Sequence, residues 1–568
     1  MTERTVADAL AEGLNRHGVT DVFGQSLPSA LFLATPKAGI RQIAYRTENA
    51  GGAMADGYAR VSGRIGVVAA QNGPAATLLV PPLAEAMKAS VPVLALVQDV
   101  PRGNRDRNAF QEFDHPSLFS SCTKWVRSLD DPARVDDYLD MALTVACSGR
   151  PGPVALLLPR DVLTLPAPTR EHLPKRRAQL GHFPLDRTAP PRTDLRRAAE
   201  LIARARNPVL VAGGGVHLSG ASEAVAALQE VANLPVGTTT MGKGAVDESH
   251  PLSIGIVSNY MGRTSASHHL QGMLDEADVV VFVGSRTNEN GTNAWRAFPP
   301  GAAFVQIDTD SAEIGRTYEV QVRLPGDARD TCAALLTELE GLDLSARRAA
   351  RGHLEASIAE ARARHREAVA ELVTADQAPI RPERVAVEVD KILEAHSPDA
   401  VAVADASYST IWMGNYLRAR KPGQRFLSPR GLAGLGWGVP LALGAQAASP
   451  GTAVVALVGD GGFGHVWSEL ETAVRERLPV VVVLLDNGIL GFQKHVEMVQ
   501  FGDHTSATDF ASVDHTAVAR ACGAEAVTVC DPAELGSILT MAITSDRPWL
   551  VEVRCDPEAR PPITGWDD

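Results

Sequence analysis

Six consecutive aliphatic residues, Val480-Val-Val-Val-Leu-Leu485, limit most strongly how this chain can fold. The run is apolar on both faces and strand-length, far short of the roughly 20 residues a membrane-spanning helix needs. A strand buried on both faces belongs in a parallel sheet covered by helices on either side. Similar runs recur at 65–70, 91–97, 153–158, 208–212, 279–284 and 304–308, with helix-length stretches interposed. This alternation predicts an α/β fold of doubly wound parallel sheets. A chain of 568 residues exceeds one ordinary core. Three such units are expected, at 1–165, 190–330 and 382–560. A Pro- and Arg-rich linker separates the first two over 166–192, and an Ala/Arg/Glu-rich, solvated connecting helix over 342–375 precedes the third.

The net charge of −13 argues against nucleic acid or an anionic membrane surface as the main partner. Six cysteines without C-x-x-C spacing read as buried small hydrophobes in a reducing compartment. Residues 1–18 form an amphipathic helix pattern without a secretory layout, so a cytoplasmic protein is expected. In the middle unit, the run Gly213-Gly-Gly-Val-His-Leu-Ser-Gly220 follows a strand, but Leu218 stands where a dinucleotide fingerprint needs its third glycine. That run reads as helix–strand packing in a Rossmann-like unit.

The chemistry concentrates in the third unit. Gly459-Asp460-Gly461 ends one strand, and Asp486-Asn487 ends the next, about two dozen residues on, after a helix expected over 467–476. Such a pair sets oxygen ligands side by side for a hard divalent cation shared with phosphate oxygens. Glycines let backbone N–H groups approach those phosphates. Taken alone, the triplet is also an ordinary strand–helix turn with an acidic cap.

This motif closely resembles the signature of thiamine-diphosphate (ThDP) enzymes, Gly-Asp-Gly followed by Asn-Asn, with Asp486 replacing the first Asn. Two further segments carry the resemblance. Arg46-Thr-Glu-Asn-Ala-Gly-Gly52 is similar to the family's pyrimidine-binding segment, and Ser428-Pro-Arg-Gly-Leu-Ala-Gly-Leu-Gly-Trp-Gly-Val-Pro440 to its cofactor-supporting turn. Ala109-Phe-Gln-Glu112 with Cys122-Thr-Lys-Trp125 resembles the acetolactate (acetohydroxyacid) synthase-like branch.

The resemblance implies pyrimidine-binding, central Rossmann-like and diphosphate-binding domains in that order. It implies Mg2+ held by Asp460, Asn487 and the Ile489 carbonyl, and a catalytic set of Glu48, Gln111 and Leu435. Glu48 would hydrogen-bond N1′ of the aminopyrimidine, and Leu435 would support the bent cofactor. Gly73, Ser407, Gly459, Gly461 and Gly462 would complete the cofactor contacts, while Phe110, Gln111, Lys124 and Gln493 would face a small keto acid. The implied reaction decarboxylates a 2-keto acid such as pyruvate and transfers the acyl carbanion to a carbonyl acceptor. Decarboxylation alone, or cleavage of a 2-hydroxyacyl- or oxalyl-CoA thioester, is the alternative. Because Glu48 and Asp460 lie in different units yet must touch one cofactor, a homodimer or homotetramer with sites at subunit interfaces is expected.

Three positions and one segment depart from the branch pattern: Thr47 for His, Asn290 for a substrate-binding Arg, Val496 for Trp, and Ser258-Asn-Tyr-Met-Gly-Arg263 for a flavin-contacting cluster. These argue against a retained FAD and leave selectivity for two 2-keto acids, and with it a housekeeping branched-chain role, unsupported.

Overall fold

The computed structural model describes residues 4–168 and 178–566. It contains three six-stranded sheets in which every strand pair is parallel. From edge to edge, the first runs Arg41–Ile43, Asp21–Phe23, Gly66–Ala70, Val93–Asp99, Val154–Pro159, Val126–Ser128. The third runs Phe426–Leu427, Val401–Ala404, Val454–Gly459, Val481–Asp486, Trp549–Arg554, Glu525–Val529. Taken in chain order within each unit, the two sheets share one strand order, so they are topological copies of each other. The central sheet runs Val320–Pro325, Ala303–Asp308, Val279–Val283, Pro208–Ala212, Val236–Thr238, Ser253–Ile256. That is the dinucleotide-fold order, with its switch point between Pro208–Ala212 and Val279–Val283.

The first and third units share one continuous apolar core. It is sealed where helix Glu48–Ser62 crosses helix Gly438–Ala448. These helices hold equivalent places in the two copies, each following the first edge strand of its sheet. Their backbones touch: a Cβ at Gly57 would run into the Leu441 carbonyl, and one at Gly444 into the Met54 carbonyl.

The 30-residue helix Ser345–Thr374 is not the free solvated rod its composition predicts. Leu354, Ile358 and Ala361 are buried against Val209 and Phe282 of the central sheet. Among the described residues, no helix is long and apolar enough to cross a membrane.

Candidate active site

The third sheet has its switch point between Val401–Ala404 and Val454–Gly459. Open α/β sheets bind ligands in the crevice outside the strand ends at such a point. A cavity of about 470 Å³ lies there. Strand Val454–Gly459 delivers Gly459 and Asp460 to it. The neighbouring strand, aligned so that Gly459 faces Leu485, delivers Asn487 and Ile489 beside them. A four-residue helical turn, Asp460–Phe463, follows immediately, and the next helix begins at Glu469, two residues later than the sequence predicts.

Asp460 is buried, and its Oδ2 accepts the Gly488 N–H at 3.0 Å. Burial, and then the adjacent Asp486 carboxylate, push its carboxyl up to about 7. Asp486 turns away from the cavity, into an ion pair with Arg554 and within 3.8 Å of His515 Nδ1. His515 Nδ1 lies 2.9 Å from Glu552, which also accepts the Thr528 hydroxyl at 2.6 Å. Thus the residue departing from the Asn-Asn signature is consumed by a buried network, and Asn487 keeps its place on the wall. A buried carboxylate short of positive charge, an amide side chain and the backbone at Ile489 offer hard oxygens, a donor set that fits Mg2+.

On the other strand end, Asp405 accepts N–H groups from Ala406, Gly436 and Trp437 at 2.8, 3.0 and 3.1 Å. It thereby fixes the turn carrying Leu435, which lines the cavity. Only glycine fits at 462, where a Cβ would run into the Asp405 carboxylate. Sequence reasoning missed Asp405; its one local signal is an acid directly after a buried strand. Ser407 lines the cavity at φ 67°, ψ −139°, a conformation that costs a non-glycine residue about 1–3 kcal/mol. Tyr408 lines the same wall and pairs with His495 Nδ1 at 2.7 Å, so His495 sits buried behind it. Gln493 also faces the cavity, with its amide bonded to Glu497 at 2.8 Å.

The first-unit residues form a second group. Asn72 donates to the Gln111 carbonyl at 2.9 Å, and Gln71 to the Gln111 side chain at 2.7 Å, beside Gly73 and the exposed Phe110. Gly73 N–H donates to His115 Nε2 at 3.0 Å, which leaves His115 Nδ1 to donate to Asp99 at 3.2 Å. This buried pair fixes the loop and was also missed by sequence reasoning. Glu48 opens its helix directly after the cap Thr47 and, among the described residues, has no hydrogen-bond or ion-pair partner. Glu469 of the third unit holds that turn by accepting the Arg46 and Thr47 N–H groups at 3.1 and 3.0 Å. No residue lining the Asp460 cavity comes from the first unit, so Glu48, Gly73, Phe110 and Gln111 do not reach it within one chain.

Lys124 requires a correction. Its ammonium donates to the carbonyls of Val145, Ser148 and Arg150. It closes the end of helix Val135–Cys147 instead of facing a substrate, because three unpaired carbonyls converge there.

In the central unit, a smaller cleft opens at the switch point, lined by Gly214, Thr239, Ser285 and Asp308. The glycine run is committed to packing: a Cβ at Gly213 or Gly215 would collide with the backbone of Gly284.

Two copies of one ligand-binding topology flank a dinucleotide-type unit, and an oxygen-rich crevice opens in the second copy. These features define a cofactor-dependent α/β enzyme. Family models agree in order along the chain. Residues 4–118 match the thiamine pyrophosphate enzyme N-terminal TPP binding domain, residues 195–335 the central domain and residues 405–553 the C-terminal TPP binding domain. A probable acetolactate synthase large subunit of Methanocaldococcus jannaschii is 32% identical over 571 residues, covering 98% of this chain and 93% of the relative. An acetolactate synthase of Mycobacterium bovis is 35% identical over 531 residues, covering 91% and 81%. The large subunit of that enzyme from Corynebacterium glutamicum is 31% identical over 566 residues, covering 96% and 86%. The chain belongs to the thiamine-diphosphate-dependent enzymes, in their acetolactate-synthase-like branch.

Proposed function

We propose that the protein decarboxylates a 2-keto acid such as pyruvate and transfers the resulting acyl carbanion to a carbonyl acceptor. The carrying observation is the switch-point cavity that gathers Gly459, Asp460, Asn487, Ile489 and Leu435. The full-length relatives named acetolactate synthase support the same reading. In it, Asp460, Asn487 and the Ile489 carbonyl would hold Mg2+, and Gly459, Gly461, Gly462 and Ser407 would border the diphosphate. The bound thiamine supplies the nucleophilic carbon and the electron sink. Leu435, fixed by Asp405 through its turn, would support the bound cofactor from the cavity wall. Glu48 would hydrogen-bond N1′ of the pyrimidine when the cofactor is bound. Because Glu48, Gly73, Phe110 and Gln111 lie off the Asp460 cavity of their own chain, a partner subunit's first unit closes each site, and a homodimer is the minimal active form. Buried Tyr408, with Leu490 and Phe492 beside it, gives the cavity an apolar wall.

Product analysis with pyruvate as the sole substrate, in the presence of thiamine diphosphate and Mg2+, tests this reading. Acetolactate is the expected product. Acetaldehyde alone would replace transfer by simple decarboxylation, and no turnover across a panel of 2-keto acids would overturn the proposal.

A further inference from the structure

A small cavity of about 30 Å³ lies where the three units meet. Arg60 and Val91 reach it from the first unit, His217 and Met241 from the central unit, and Arg425 and Ser428 from the third. A water needs roughly 10–15 Å³ of such space, so the cavity admits a few-atom ion and no whole nucleotide. Its walls are firmly mounted. Arg425 and Ser428 flank the edge strand Phe426–Leu427. The Arg425 carbonyl accepts the Ala402 N–H at 3.1 Å, and the Ser428 carbonyl accepts from Arg60 at 2.9 Å. His217 Nε2 donates to the Lys243 carbonyl at 2.8 Å.

The polar groups on these walls are left incomplete. Among the described residues, the Arg425 side chain makes no hydrogen bond and no ion pair. Burial, with no acid beside it, pushes its guanidinium below the ordinary value. The neighbouring cations are already matched, Arg60 by Asp56 and Glu85, and Lys243 by Glu248 at 2.8 Å. Ser428 is only 2% exposed, and its Oγ has no partner. The Nδ1 of His217 is covered and likewise unpartnered. With its Nε2–H committed to Lys243, that Nδ1 is an acceptor. Burial, and then the positive Arg425, push the imidazole down to about 4 and keep it neutral.

About two waters would fit this space, but they would leave the Arg425 charge unmatched in a site withdrawn from bulk solvent. The completing group must bring a negative charge, oxygens for Arg425 and Ser428, and a proton to donate to His217. A planar, singly protonated oxyanion supplies all of these. We propose that the three-unit junction is a binding site for a small protonated oxyanion of the bicarbonate class, held by Arg425, Ser428 and His217. Such an ion would tie the units together through one contact set. The neighbouring central cleft shares Gly214 and Met241 with this cavity, and a nucleotide phosphate lying there offers related oxygens. The test separates the two sources.

Bicarbonate is titrated calorimetrically, in a sealed cell at about pH 8 and constant ionic strength, into the whole chain loaded with thiamine diphosphate and Mg2+. Nitrate, which has the same shape and charge but no proton to give, and ADP are titrated in parallel. Bicarbonate should bind wild type and raise its thermal unfolding midpoint, as a ligand of the folded state does. Arg425→Gln should weaken it roughly 10- to 100-fold, the loss expected for a charge-assisted pair. Ser428→Ala should weaken it roughly 2- to 10-fold, and nitrate should bind wild type roughly 10-fold less tightly than bicarbonate. Absent bicarbonate binding in wild type, equal affinity in wild type and Arg425→Gln, or nitrate binding as tight as bicarbonate overturns the proposal. Lost ADP binding in Arg425→Gln with bicarbonate retained assigns the guanidinium to a nucleotide phosphate and overturns it as well. Should Arg425→Gln not fold, Ser428→Ala leaves every charge in place and decides alone, unchanged bicarbonate affinity overturning the site.

Discussion

Asp308 ends strand Ala303–Asp308 and lines the central cleft almost fully buried. Burial pushes its carboxyl up to about 6 against an ordinary 3.8, and the Asp310 N–H at 2.9 Å offsets only part of the shift. A carboxyl whose folded value is raised favours folding fully only below about pH 4, and that advantage is lost as pH rises through about 6. Above this window the ionised Asp308 costs on the order of 3 kcal/mol. Asp308→Asn keeps an oxygen for the Asp310 N–H and removes the charge. It should therefore raise the denaturant midpoint at pH 8 and do so less at pH 5; an equal change at both would show that charge burial is not the cause. Single residues were also where the sequence spoke least clearly. Lys124 and Arg430 are both cations within short loops. Nothing in their neighbours tells that one meets three carbonyls while the other meets none.

Between elements, the decisive contact is the crossing of helices Glu48–Ser62 and Gly438–Ala448 through Gly57 and Gly444. Gly444→Ala places a methyl group against the Met54 carbonyl in a fully packed seam. The two units must then separate slightly, at a cost of about 1–3 kcal/mol typical of overpacking. Thermal unfolding should shift down accordingly, and an unchanged midpoint would mean the seam is looser than described. This crossing was not legible in the sequence, because a glycine inside a helix carries the same letter whether it faces solvent or another backbone. The strands were legible: runs apolar on both faces, such as 208–212 and 279–284, fall within a residue or two of the observed Pro208–Ala212 and Val279–Val283. Their order across each sheet was not, since every buried parallel strand satisfies the same pattern. The connecting helix misled for a related reason. Its apolar face is narrow, only Leu354, Ile358, Ala361 and Val369 among many charges, and composition outweighed that stripe. In the site, the Gly-Asp-Gly and Asn487 pair was readable from its spacing. Asp405 and the Asp99–His115 pair act on backbone groups far along the chain and leave no local pattern.

For the whole molecule, the shared strand order of the first and third units gives each chain two similar halves. The Asp460 cavity is lined by third-unit and central-unit residues alone. Phe110 and Phe113, 85% and 53% exposed, stand beside Gln111. If a partner's first unit closes each cavity about a two-fold axis, Glu48 and Asp460 of one chain serve different sites. Glu48→Gln should then bind thiamine diphosphate yet slow exchange of its C2 proton by roughly 10²–10⁴-fold, the usual scale of general acid–base catalysis. Asp460→Ala should lose the Mg2+-dependent part of cofactor affinity. Each variant alone is expected to be nearly inactive. Mixed and allowed to exchange subunits, they should recover about a quarter of wild-type product formation, because half the dimers are hybrids in which one of two sites has both residues intact. If both residues acted within a single chain, each chain in the mixture would carry one defect. No intact site could arise from any pairing, and the mixture would stay as inactive as its parts.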